Sequence, residues 1–454
     1  MKNYTFYSLL YILLLSAISC TDDKDKIGID PDQSVNEWIY ETMEENYLWN
    51  TEIPATSQVN FSADPEDFFI SLLSSNDGKE GYYYSTIESK SSSTKSYHGD
   101  GLTLGFEYQA YYTDNQRTKI QLKILYILPN SPAANSDLQR GEWVHTINNQ
   151  TIPTTMDISS TLYSGTEVTL GIGDVEGEEL RSIKLTAQMV EDHPVFLDTI
   201  YSIQNRQIGY LVYNHFTSDP DNNGYGDGFD QDLKAAFAGF KNANLNDFIL
   251  DLRYNNGGLV SCAQLLGTML APAEALGDIF CQMIYNQDQQ NKNSSLPFDQ
   301  SLSGYNIDTK RLYVLTSSRT ASASEAVING LKPFLGNNLI LVGTQTEGKN
   351  VGSVTYTDDR FEWELHPIVC YISNKNPLEE ADYSEGFSPY VPLSEPNSSL
   401  YELGDTREYM LATVLNLLAG SGANFRSESI EKELIPAYSS LDQKTNRGML
   451  LPGQ

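Results

Sequence analysis

The chain has 454 residues, is 40% hydrophobic and 11% aromatic, and carries a formal net charge of −31. That length allows two or three domains around at least one sizeable core, and the apolar content excludes a mostly disordered chain. With 60 acidic side chains against 29 basic ones, the balance excludes nucleic acid as a direct partner and charge-driven adsorption to an anionic membrane surface.

Residues 1–19 read as an export signal. Lys2 precedes an apolar run from Tyr7 to Leu15, too short to span a bilayer as a helix, and Ala17-Ile18-Ser19 leads into Cys20. A small residue directly before a cysteine at the end of such a run resembles a bacterial lipoprotein signal, although Ala17 stands where Leu is usual. The resemblance implies cleavage before Cys20, diacylglycerol on its thiol, and residues 20–34 as a tether. The expected location is therefore extracytoplasmic, on the cell envelope, with membrane contact through the anchor at Cys20 only; an ordinary secretory peptide is the alternative. Cys262, Cys281 and Cys370 remain, an odd set without C-x-x-C, so they read as buried small hydrophobes rather than a disulfide framework or zinc site.

Residues 35–97 should be a small helical region. Val35, Trp38, Ile39, Met43 and Tyr47 fall at helical spacing, and Asp64-Pro65 opens a second helix carrying Phe68, Phe69, Leu72 and Leu73. Residues 98–192 change to short alternating strands: GLTLGFEY, KIQLKILYI, then PNSPAANSDLQRGEWVHTINNQTI. This stretch resembles a PDZ domain. Leu102, Thr103, Leu104, Gly105 and Phe106 sit where that family has its carboxylate-binding loop, and Ser131-Pro132-Ala133-Ala134 through Gly141-Glu142-Trp143-Val144 matches its helix-turn-strand signature. The resemblance implies capture of a polypeptide C-terminus by strand addition; a purely structural domain is the alternative.

Residues 193–420 alternate strands and helices, IGYLVYNHF, DLKAAFAGFKNA, DFILDLRYNNGG, LVSCAQLLGTMLA, and then the Arg311–Ser353 unit. FEWELHPIVCYIS reads as one strand and TREYMLATVLNLLAG as a closing helix, so the class is α/β with helices packed on a sheet. Residues 421–454 are polar and read as a poorly ordered tail.

The Arg311–Ser353 unit carries the chemistry. A strand, RLYVLTSS, is followed by the all-small run Thr320–Ser324 and a helix with Glu325 in its first turn. Such a turn lifts a serine hydroxyl onto a helix N-terminus, where free N–H groups favour developing negative charge. The next strand, LILVGT, delivers Lys349 between Gly348 and Gly352, and a lysine desolvated enough to be neutral can act as a base. Upstream, LDLRYNNGG ends a buried strand in Gly257-Gly258, whose N–H groups can approach a ligand.

The order of glycine turn, serine at a helix start and lysine after the next strand resembles the C-terminal processing (tail-specific) serine peptidases over about residues 35–420. The resemblance implies a crotonase-like core with an inserted PDZ domain, and a serine endopeptidase acting on polypeptides with unstructured C-termini through an acyl-enzyme. It further implies Ser322 as nucleophile, Lys349 as general base, and the Ala323 amide with that of Gly257 or Gly258 as oxyanion hole. Ser324 and Glu325 would hold the helix and Arg253 the glycine loop. Ser353 stands where the family often has a glutamine that orients the lysine.

Two other chemistries are open from the residues alone. His215, near the end of a core strand, could serve Ser322 as base in a Ser-His hydrolase, and a non-catalytic peptide-binding lipoprotein could keep the architecture. Glu347 is expected to point away from the cleft, since pairing with Lys349 would hold that lysine charged. Asp219-Pro220-Asp221-Asn222-Asn223-Gly224 with Asp230 has the spacing of a calcium loop but Asp in place of the bidentate Glu. A solvated acidic loop is the expected reading, with no metal and no cofactor.

Overall fold

The computed structural model describes residues 34–79, 81–90, 102–175, 179–219, 226–397, 400–420, 434–444 and 449–451. The export segment, Cys20, the tether up to residue 33 and residues 220–225 of the acidic loop lie outside them. Among the described residues no helix is long and apolar enough to cross a membrane.

Both expected N-terminal helices form, but the second ends at Ile70, so Leu72 and Leu73 lie past it rather than on it. Ser34 and Glu37 form a reciprocal cap on the helix Val35–Asn46, and Asp64 caps Pro65–Ile70. The region does not stand apart. Ile39, Met43, Phe68 and Phe69 share one core with Val351, Leu365 and Ile368, and the Leu48 N–H donates to the Ile368 carbonyl at 2.8 Å. A helical pair is thereby clamped onto the strand that follows Lys349.

Residues 106–186 supply six strands of a seven-stranded sheet, antiparallel throughout, and Leu102–Thr103 pairs separately with Gln188–Met189. The strand Phe106–Tyr112 pairs on one side with Lys119–Ile127. Residues 131–136, expected to be helical, are a run of turns, with the Ala133 N–H bound to the Leu104 carbonyl at 2.9 Å.

The core carries a six-stranded sheet ordered Val195–Ile203, Arg206–Tyr213, Asp247–Asp251, Leu312–Thr316, Leu339–Gly343 and Val391–Pro392, parallel from the second strand onward. Period-two alternation sends side chains to two cores. Leu211, Tyr213, Phe248 and Leu250 pack against the helices Gly228–Asn242, Val260–Leu270 and Ala323–Leu335. Tyr210, Val212 and Ile249 face the helix Tyr409–Leu418. A second sheet joins Ser294–Pro297, Ile279–Tyr285, Ile368–Ser373, Val351–Ser353 and Met449–Leu450. Cys262, Cys281 and Cys370 are free thiols buried in this core.

Two expectations need correction. FEWELHPIVCYIS is two strands, Trp363–His366 and Ile368–Ser373, because Pro367 has no N–H to continue a ladder. Nor is the segment from 421 onward wholly a disordered tail. Ile435–Ser439 pairs with Phe106–Tyr112 at the sheet edge, and Met449–Leu450 pairs with Val351–Ser353. Leu441 and Leu451 are buried. A polar composition hid these strands, which bury only a few anchors and otherwise bond through the backbone.

Candidate active site

The three loops of the predicted site leave the C-terminal ends of three adjacent parallel strands, Asp247–Asp251, Leu312–Thr316 and Leu339–Gly343. Loops on that edge of a parallel sheet converge, so Gly257, Ser322 and Lys349 become neighbours although 92 positions separate the first from the last.

Ser322 precedes the helix Ala323–Leu335 with φ 59° and ψ −116°. A non-glycine residue held there costs on the order of 1–3 kcal/mol and persists only where its surroundings impose it. The Ser322 N–H donates to Glu325 at 3.0 Å. On either side of Ser322, the Ala321 N–H and the Ser324 hydroxyl both donate to the Asn255 carbonyl, at 3.3 and 2.9 Å. The Ser322 Oγ is buried and, among the described residues, has no hydrogen-bond partner. A buried hydroxyl left unpaired costs roughly 1–3 kcal/mol, so backbone strain and an unmet hydrogen bond coincide on one residue.

The glycines are there for space. A Cβ on Gly257, at φ +114°, would sit 2.7 Å from the Ser322 Cβ and 3.0 Å from the Ala323 nitrogen. One on Gly258, at φ +135°, would sit 2.3 Å from the Phe216 carbonyl oxygen. The Gly257 N–H is already given to the Asn255 side chain at 2.8 Å. Of the two glycines, Gly257 is the one that lies against Ser322 and Ala323, while Gly258 lies against Phe216.

Glu325 does more than cap its helix. Fully buried, its carboxylate accepts from the Ser322 N–H, the Thr346 hydroxyl (2.6 Å), the Gly348 N–H (2.7 Å) and the Lys349 N–H (2.8 Å). One carboxylate thus fixes the serine turn against the lysine loop. Burial pushes its pKa up to about 7 against the pull of those four donors.

Lys349 is 8% exposed, and its Nζ lies 4.6 Å from the centre of the Tyr84 ring, which the N-terminal region supplies. Burial brings its pKa down to about 8, while Asp77, Glu347 and Glu325 pull it back up. No hydrogen bond joins it to the Ser322 Oγ. Glu347 does not point away as expected. It lines the same cavity of about 580 Å³ as Lys349, but its carboxylate is engaged by the hydroxyls of Tyr82 and Tyr84 and by Lys79. Ser353 sits in the strand after the lysine loop, where its carbonyl accepts from the Leu451 N–H at 3.1 Å.

His215 makes no hydrogen bond to the Ser322 Oγ. Its Nδ1 lies 3.1 Å from the Thr217 hydroxyl and its Nε2 3.0 Å from the Asp192 carbonyl, so both ring nitrogens are occupied. Arg253 is wholly buried, bidentate to Asp251 at 2.9 and 2.7 Å and to Glu408 at 2.8 and 3.1 Å, with Glu395 at 2.9 Å. Arg140, from the antiparallel sheet, joins the cluster through Glu395 and through the Tyr254 hydroxyl at 2.9 Å. Sequence reasoning assigned no role to Arg140, Asn255, Tyr84, Glu395 or Glu408, although Arg140, Asn255 and Glu408 lay within stretches it singled out.

In the loop Leu102–Phe106, Leu102 and Thr103 pair with Gln188–Met189, Leu104 and Phe106 are buried, and Gly105 takes φ +84°. The Gly105 N–H donates to the Thr103 hydroxyl at 3.0 Å. Among the described residues no group of three or more His, Cys, Asp or Glu could hold a metal ion. Asp219 and Asp230 are the described members of the calcium-like spacing, and burial raises Asp230 to about 6.

A strained serine at a helix start, paired glycines and a buried lysine make a serine hydrolase site, and comparison with known proteins gives its class. Residues 207–360 match the model of peptidase family S41, and residues 34–86 match the peptidase S41 N-terminal domain. A CtpA-like serine protease of Staphylococcus epidermidis is 22% identical over 414 residues, covering 88% of this chain and 74% of that protein. A carboxy-terminal-processing protease of Bartonella bacilliformis is 27% identical over 293 residues, covering 62% of this chain and 60% of its own. The crystal structure of an S41-type protein from Bacteroides fragilis superposes with TM-score 0.71 at 29% identity, over 86% of this chain and 99% of that one. The photosystem II D1 C-terminal processing protease shares the fold at TM-score 0.51 and 18% identity, over 86% of this chain and 97% of its own. The chain is a serine-type peptidase. The family these matches support is peptidase S41, the C-terminal processing proteases.

Proposed function

We propose that the protein is a Ser-Lys endopeptidase that cuts polypeptides with unstructured C-termini. The observation that carries this reading is the buried, unpaired Ser322 Oγ at a strained helix start, tied through Glu325 to the loop of a desolvated lysine. Neutral Lys349 accepts the proton as the Ser322 Oγ attacks the scissile carbonyl. The oxyanion is met by the N–H group of Ala323 with that of Gly257 or Gly258, such donors contributing about 3–4 kcal/mol each to the transition state. The lysine then protonates the leaving amine, and water releases the acyl group by the reverse sequence. With its ammonium against Tyr84 and its serine buried, the arrangement is a resting one, and the lysine side chain moves onto the Oγ when substrate enters.

The finer assignments belong to the same reading. The antiparallel region over 102–190 is a PDZ-like domain that receives the substrate's C-terminus near Leu104–Phe106, inserted beside a crotonase-like core. Cys20 anchors the chain by lipid on the extracytoplasmic side of the envelope. Casein turnover by the wild type and by Ser322→Ala tests the peptidase assignment; equal turnover by both would defeat it. Acyl-dependent partitioning into a detergent phase, lost in Cys20→Ala, tests the anchor, and unchanged partitioning of that variant would sink it.

A further inference from the structure

The edge of the Phe106–Tyr112 strand, where strand addition would place a substrate, is already occupied. The occupant is the chain's own segment Ile435–Ser439. It runs antiparallel, with Ile435 opposite Tyr112, Pro436 opposite Tyr111 and Ser439 opposite Gln109. Its direction carries it toward Gly105, the direction in which a captured C-terminus would run along that edge. The Ser439 hydroxyl donates to the Tyr108 carbonyl at 2.7 Å, the Tyr108 N–H donates to the Ser440 Oγ at 2.8 Å, and the Gln109 amide donates to the Tyr438 carbonyl at 2.9 Å.

Past the edge the segment turns across the catalytic cleft. Ser440–Lys444 is a single tight turn, held by Asn256, whose side chain donates to the Leu441 carbonyl at 3.0 Å, and by an ion pair between Arg319 and Asp442. Ala437 and Asp442 line the same cavity as Lys349, Ala321 and Asn256. One stretch of about eight residues therefore covers both the strand-addition edge and the mouth of the site.

The hold is of a kind that another strand can replace. Ile435 is 44% exposed, Pro436 offers no N–H, and the pairing is irregular between Pro436 and Ser439. Elements with few buried apolar contacts open at low free-energy cost. We infer that residues 435–442 are an internal stand-in for substrate, closing the peptide edge and the catalytic cleft together until a polypeptide C-terminus displaces them. This rests on the strand-addition reading above and adds to it a competition in cis. A tethered occupant acts at an effective concentration of order millimolar, so weak trans ligands are rejected and only substrates with additional contacts gain entry.

The test locks the segment in place. Tyr112→Cys with Ile435→Cys joins two directly opposed positions, a spacing that a disulfide can bridge. The natural cysteines of the core are buried. Oxidation of the pair should lower casein turnover at least tenfold, reductant should restore it, and Ile435→Cys alone should not respond. Equal turnover by the oxidised and reduced pair overturns the inference, because the segment then need not leave. Should the wild type cleave no casein at all, the peptidase reading has failed, and the inference is read by binding instead. A fluorescent peptide copying residues 434–440 should bind Ser439→Ala/Ser440→Ala several-fold more tightly than wild type, and should not bind the oxidised pair. Identical binding to all three, or binding to none, overturns it.

Discussion

At the residue scale the site depends on one carboxylate and one desolvated amine. Glu325 accepts three backbone N–H groups and a hydroxyl, more donors than an amide oxygen can serve. Glu325→Gln would set an NH2 group against N–H donors. Its expected cost is about 1–3 kcal/mol of stability, together with loss of turnover, read by urea denaturation and casein assay; full turnover would mean that the carboxylate positions neither loop. For Lys349 the sign of the linkage is definite. Its folded pKa of about 8 lies below the unfolded value, so the unfolded chain holds more protons between the two. The burial penalty is full below pH about 8 and fades as pH rises toward about 10.4. Lys349→Met should therefore stabilise the fold at neutral pH while abolishing turnover, and the gain should shrink in alkaline buffer. A variant less stable than wild type at pH 7 would contradict that accounting.

At the element scale much of the site was legible. The chain order of glycine turn, serine turn and lysine loop identified all three loops, because each follows a strongly periodic strand and small residues mark where side chains do not fit. Parallel pairing of those strands then brings the loops to one sheet edge. What was not legible is what reaches the site from far away in sequence. Tyr84 comes from the N-terminal region and covers Lys349, yet in the sequence it is one of three tyrosines in a polar loop. The split strand at Pro367 and the paired tail were missed because proline was read through and a polar composition was taken for disorder. Tyr84 yields its own prediction. Tyr84→Ala opens the lysine to water, so the pKa of Lys349 should rise toward its ordinary value. The midpoint of the pH–rate profile should move to more alkaline pH, and an unmoved midpoint would mean the ring contributes no desolvation.

At the scale of the whole molecule, the antiparallel sheet and the peptidase core are joined by buried charge. Arg140 and Arg253 share Glu395 and Glu408, with Asp251 and Tyr254 completing the cluster. The arginines hold the pKa of Glu395 down to about 2, against its burial. No periodicity announces such a cluster, since its members are 268 positions apart at the extremes. Removing one partner strands the others without water, so Glu408→Gln should destabilise the fold by about 3–5 kcal/mol. Denaturation in urea reads the loss; a change below about 0.5 kcal/mol, the usual range for a surface substitution, would show the network to be solvated. Arg253 and Tyr254 of the cluster precede the Gly257–Gly258 turn in the same loop, so its variants should lose turnover along with stability.

Whether Lys349 is the base for Ser322 is read from the pH dependence of kcat/KM for a peptide substrate in wild type, Lys349→Ala, Lys349→Arg and His215→Ala. Wild type should rise through a single deprotonation with a midpoint near pH 8, and His215→Ala should keep that midpoint. Both lysine variants should fall by a factor on the order of 10³ or more, because a catalytic pair loses nearly everything with either member and a guanidinium keeps its proton. A profile that instead survives in Lys349→Ala and disappears in His215→Ala would contradict the Ser-Lys assignment.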